Sequence, residues 1–152
     1  MRILSSVVIL AAMVFAGTSA LVAQRGAAPV TVEQHAATMK MIAQNVQAAN
    51  KALKGGDAAA AMPAAETLVT SFTTIETFYT QRNKPDAVKN AQTAKMGAQD
   101  VVAALKAGDV MKAQTSLPTV MGTCAGCHKA MREGDGKAEP YRFSAASGIT
   151  PP

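Results

Sequence analysis

Tryptophan is absent from this sequence, and aromatic residues of all kinds make up only 4% of it. The side chains that usually give a core its bulk are therefore scarce. Yet 49% of the residues are hydrophobic, and most of these are Ala, Val, Leu and Met. Helices rich in Ala approach closely but leave little mass between them, so either the core is thin or something other than protein fills it. Cysteine is nearly missing as well, Cys124 and Cys127 being the only two. That excludes a multi-disulfide scaffold and a four-cysteine zinc site. Alternating polar and apolar runs are lacking, which excludes a half-buried sheet. No cluster of cations interleaved with aromatics occurs, so nucleic acid is not an expected partner. No internal repeat stands out. At 152 residues the chain holds one domain.

What is present begins with Arg2 and the apolar run "ILSSVVILAAMVFAG", followed by the small residues Thr18 to Ala20. A basic start, a short apolar run and a small-residue exit predict that 1–23 is a secretory signal peptide, cleaved near Ala20 or Ala23. The run is shorter than the ~20 residues a membrane span needs, so no stable span is expected in the mature chain. Arg2 is the only charged residue removed, which leaves fourteen Lys and Arg against ten Asp and Glu, +4 in place of +5. Residues 24–30 are expected to form a flexible leader and 31–133 the helical domain. Residues 134–152, rich in Gly, Pro and Ser, are expected to be a mobile C-terminal tail. Export is expected to place the mature protein in a bacterial periplasm.

Four stretches have helical periodicity. In the first, Thr31 and Gln34 form a possible capping box. Val32, His35, Met39, Ile42, Val46, Ala49 and Leu53 then recur at steps of three and four, and Gly55 and Gly56 stop the helix. The second is predicted from about Pro63 to Thr80, with Leu68, Phe72, Ile75 and Tyr79 inward and Val69 and Phe78 beside them. The third runs from about Asp86 to Lys106, with Val88, Ala91, Ala98, Val102 and Leu105 inward. Asp109 caps the fourth, whose stripe is Val110, Ala113, Leu117, Val120, Cys124, Cys127 and Met131. Pro118 is expected to kink or split it. Four helices with short breaks predict an all-α fold, an antiparallel four-helix bundle.

On the last helix Cys124 and Cys127 lie one turn apart, and His128 lies four residues after Cys124, so all three can share a side. "CAGCH" is the C-x-x-C-H mark of haem c attachment. Two thiols at this separation can add across the two vinyl groups of a haem as thioethers, with the next imidazole on the iron. One covalent haem c per chain is thus expected, and it would fill the space that aromatics leave. Other readings fit less well. A disulfide here would close only a tiny loop and constrain the unfolded chain little. A redox dithiol belongs at a helix N-terminus, where thiolates are stabilised, and this motif lies toward a C-terminus. A zinc site would need Cys124 and Cys127 with His35 or His128, and no second cysteine pair exists. His128 is the expected proximal axial ligand. For the sixth position the first helix offers His35 and Met39, one turn apart, although either can equally be core.

Together these features resemble the cytochrome c-prime family, the class II c-type cytochromes, from about Val32 to Arg132. Gly122, Cys124, Cys127, His128 and Arg132 match the family's last-helix motif, with Met131 where a Tyr is usual. Ala107 to Asp109 stand at the family's distance upstream. Met39, Lys54 and Gly55 match its first-helix frame, with His35 where an Arg is usual. The resemblance implies a haem-binding role for Arg132, makes Met39 the leading sixth-ligand candidate with His35 as runner-up, and allows a homodimer. It implies one of two functions. With Met on the iron such proteins carry electrons; five-coordinate members bind NO or CO. A Met at position 39 favours the first. The expectation is an exported monohaem c-type cytochrome that cycles between Fe(III) and Fe(II). Such a protein is an electron-transfer protein, not an enzyme, and its partners are other redox proteins.

Overall fold

The structure is a computed structural model that describes residues 28–133 and 142–150. Among them are four α-helices and no strand: α1 (Val32–Lys54), α2 (Ala58–Thr80), α3 (Pro85–Lys106) and α4 (Val110–Met131). The expected signal peptide, 1–23, lies outside the described residues.

Local chemistry sets each boundary. The Thr31 side chain accepts from Gln34 N at 3.2 Å and the Gln34 side chain accepts from Thr31 N at 2.8 Å, so the capping box opens α1 as expected. Asp57 accepts from Ala60 N and starts α2 five residues before Pro63. The four alanines after this cap are strong helix formers, and they carry the helix through the proline. Pro85 opens α3, where its missing N–H costs nothing. Asp109 caps α4 through Lys112 N at 2.8 Å. Pro118 does not split α4, which runs unbroken from Val110 to Met131.

The turns after α1 and α3 are the same device. "ALKGGD" (52–57) and "ALKAGD" (104–109) share a sequence and a geometry. Gly56 and Gly108 take φ values of 72° and 75°, a left-handed conformation that glycine adopts without strain. Asp57 N bonds to Ala52 O and Asp109 N to Ala104 O, each at 2.9 Å. These are Schellman closures, and the Asp that ends each one also caps the next helix.

Short turns make successive helices reverse direction. α2 packs between α1 and α3, and α3 packs on α4; α1 and α4 touch only sparsely. Much of the stripes read from sequence points inward: His35, Ile42, Ala49 and Leu53 on α1 are buried, as are Ala113, Leu117, Val120 and Cys127 on α4. On α3 the expected Ala91, Ala98 and Leu105 are buried, but Val88 and Val102 are half-buried and Ala87, Ala94, Val101 and Ala104 complete the inward face. Glu76 of α2 pairs with Lys95 of α3 and accepts from Gln92 at 2.8 Å. At Gly97 an added Cβ would meet Val120 at 3.1 Å and Thr119 at 3.2 Å, so α3 and α4 are in close contact there.

Val30, from the expected flexible leader, is held in place. Its N–H donates to Gln81 Oε1 and its carbonyl accepts from Arg82, both at 2.9 Å. The described part of the expected tail also lies against the bundle. Glu133 N donates to Arg142 O, Ser144 N donates to Met131 O, and Arg132 and Phe143 form an antiparallel bridge. Phe143 and Ile149 are buried. Phe143 helps bring 142–150 back onto the fold, because the end of the bundle offers it the His35 and Phe78 rings. Residues 134–141 and 151–152 lie outside the described residues.

Candidate functional site

Where α1 and α4 stand apart the bundle contains a cavity of about 280 Å³, roughly twenty times the room a single water needs. α1 contributes Met39, Ile42, Ala43, Val46 and Gln47 to its wall, and α2 contributes Phe72 and Ile75. On α3 the wall is Ala87, Asn90, Ala91 and Ala94; on α4 it is Thr123, Cys124, Cys127 and His128. The cause is legible on α3. Alanines at 87, 91 and 94 face inward where larger residues would close the space, so the wall recedes. The lining is almost wholly apolar, and the chemically distinctive groups sit together on α4.

Both thiols are free. Cys124 Sγ donates to Val120 O at 3.3 Å, and Cys127 Sγ lies 4.0 Å from the buried Tyr79 hydroxyl. Burial raises the pKa of both above the usual thiol value, so they stay protonated at neutral pH, unlike the thiolates of redox dithiols. Burial, then the nearby Arg132 charge, lowers the His128 pKa. Its imidazole is neutral at pH 7, with a lone pair available to a metal. Among the described residues no three His, Cys, Asp or Glu side chains are grouped so as to hold a bare metal ion.

Met39 shares this cavity with Cys124, Cys127 and His128. His35 stands outside the lining. It is fully buried in an aromatic cluster, 4.2 Å from Phe78, 5.4 Å from Tyr79 and 5.0 Å from Phe143 between ring centroids. Burial first, then the charges of Arg82 and His128, push its pKa down to about 3. Arg82 itself lies 3.6 Å over the Phe78 ring. Arg132 ends α4, its N–H bonded to His128 O at 2.9 Å; its charge is felt by His128, but it is not part of the wall. Gln47, Asn90 and Thr123 are polar wall residues without a sequence signal. Tyr79, beside Cys127, reads in the sequence only as core.

The residues present suit a flat, largely apolar macrocycle: an apolar cavity, two protonated thiols one helical turn apart and a neutral imidazole next to them. Comparison with protein-family models, with curated proteins and with solved structures finds no match.

Proposed function

We propose that this chain is an exported monohaem c-type cytochrome of the cytochrome c-prime kind, acting as a one-electron carrier in the periplasm. The observation that carries the reading is the meeting of Cys124, Cys127, His128 and Met39 on one apolar cavity. Cys124 and Cys127 would hold haem c through thioethers, His128 would supply one axial ligand, and Met39 is the candidate for the other. Bound haem supplies Fe(III)/Fe(II) cycling. The chain's own contributions are distinct from that chemistry. α4 presents the two thiols on one face, burial keeps the His128 ring neutral, and α1, α2 and α3 exclude water through Ile42, Phe72, Ile75 and the alanines of α3. An apolar surround and a thioether ligand both favour Fe(II) and so raise the potential.

The test is expression of the full chain, residues 1–23 included, in a host that attaches haem c. A red protein whose pigment survives acid–acetone extraction, with a mass increase of one haem, is the expected result. A colourless protein, or pigment that extracts completely, overturns the reading. The oxidised spectrum then separates the two modes: low-spin bands mark an electron carrier, and a high-spin spectrum that shifts with NO marks a gas-binding protein.

A further inference from the structure

Charge is distributed unevenly over the helices. α1 and α4, the pair that stands apart at the cavity, carry Lys40, Lys51, Lys54, Lys112 and Lys129 against a single carboxylate, Glu33. α2 has no basic residue; with α3 it carries three lysines against four carboxylates. One of those three, Lys95, is already paired with Glu76. The α1 and α4 helices therefore total +4 against −1 for α2 and α3, or +1 for that side once Arg82 and Lys84 of the turn joining α2 to α3 are included, and all five lysines of α1 and α4 are exposed.

The positive side is also the side of the mouth. Ala43 and Gln47 are exposed on α1 while lining the cavity. Lys40 is three residues before Ala43 and Lys51 four after Gln47, so all four follow one edge of the helix. On α4, Met121 is 46% exposed and sits three residues before Cys124, an apolar contact next to the mouth.

We infer that the face formed by α1 and α4 is the docking surface for an acidic partner protein, with Lys40 and Lys129 steering it to the cavity mouth. The inference rests on the cytochrome reading only for the partner's redox character. Charge complementarity argues for such an occupant, because a one-signed face raises the rate of encounter with the opposite sign and repels its own. A second copy of the chain is thereby disfavoured on this face. An anionic membrane is disfavoured for another reason. Interfacial helices anchor through Trp, Phe or Leu, and among the described residues the large exposed hydrophobic side chains are all methionines.

The experiment is an NMR titration of the isotope-labelled full mature protein with poly-L-glutamate and, separately, with phosphatidylglycerol vesicles, at low and high salt. Poly-glutamate is expected to shift amides of α1 and α4, an effect abolished by salt. Lys40→Glu combined with Lys129→Glu should weaken binding by about tenfold or more, whereas Lys89→Glu with Lys106→Glu should leave it within about twofold. In the haem-bound protein the first pair should also slow oxidation by anionic hexacyanoferrate(III) at low salt. Shifts spread evenly over four helices, equal loss in both double variants, or tighter binding to vesicles than to the peptide would overturn the inference. A colourless preparation that still binds on α1 and α4 sinks the cytochrome reading and leaves the docking face standing.

Discussion

The side-chain amide of Gln114 on α4 donates to the main-chain carbonyl of Leu53 at the end of α1. It ties the two helices at one end, while toward the other they stand apart around the cavity. Leu53 O also accepts from Gly56 N, so Gln114→Ala should remove one hydrogen bond without orphaning the carbonyl. A loss of about 1 kcal/mol in urea unfolding is expected. An unchanged midpoint would mean the tie contributes nothing.

Met39→Ala should abolish the far-red sulfur-to-iron band of the oxidised haem protein and lower its reduction potential. His35→Phe should leave that band intact, because His35 lies among Phe78, Tyr79 and Phe143 and outside the cavity wall. A low-spin wild-type protein that lacks the band, and that His35→Phe but not Met39→Ala turns high-spin, would assign the sixth position to His35.

Acid should destabilise the fold through the same histidine. Its pKa falls from 6.5 to about 3 on folding. Below about pH 6.5 the unfolded chain takes up a proton here and the folded chain does not, so stability is full above that pH. It is lost at up to ~1.4 kcal/mol per pH unit as pH drops toward 3. His128, also lowered by burial, acts in the same direction. Thermal melts between neutral pH and about pH 4 should show a falling Tm, and His35→Phe should flatten the slope. Phe143→Ala should cost about 3 kcal/mol and, by admitting water to the ring, raise the His35 pKa. A wild-type slope in His35→Phe would refute the assignment.

Two glycines should respond oppositely. Gly97→Leu drives a side chain into Val120 and Thr119 and should cost about 1–3 kcal/mol. Gly126→Ala meets nothing within 4 Å on an exposed stretch of α4 and should gain about 0.5–1 kcal/mol. Denaturant midpoints of the two variants give the comparison.

Periodic features were readable from the sequence. The seven positions of the α1 stripe, the Thr31–Gln34 box and the Asp109 cap depend on spacing alone, and the structure has each of them. In the sequence Pro63 is a strong start signal and Asp57 a weak one, so the predicted α2 begins late; in the structure the cap and the alanines outweigh a single proline. Pro118 likewise leaves α4 unsplit. Tertiary pairs were invisible: Gln114 with Leu53, Arg82 over Phe78 and Phe143 against His35 join distant residues of ordinary type. Periodicity alone therefore ranks neither His35 nor Met39, one turn apart on the same stripe, and their order rests on the family resemblance. What separates them is a ring supplied from beyond α4. The scarcity of bulky residues, in contrast, did foretell empty space, and the alanines of α3 are where it lies.

The repeated turn has a consequence for how the site arose within the fold. Shifted by the 52 residues that separate Asp57 from Asp109, the first helical hairpin falls on the second with its inward positions in register. Ala49 meets Val101, Leu53 meets Leu105, Ala61 meets Ala113 and Leu68 meets Val120, all of them buried. The two hairpins thus share one pattern of inward positions, although they are not packed symmetrically: α2 lies closely on α3, whereas α1 and α4 touch only sparsely. Under the same shift Phe72 falls on Cys124 and Ile75 on Cys127, so one half walls the cavity with hydrocarbon where the other presents sulfur. The chemistry sits where the shared pattern is broken.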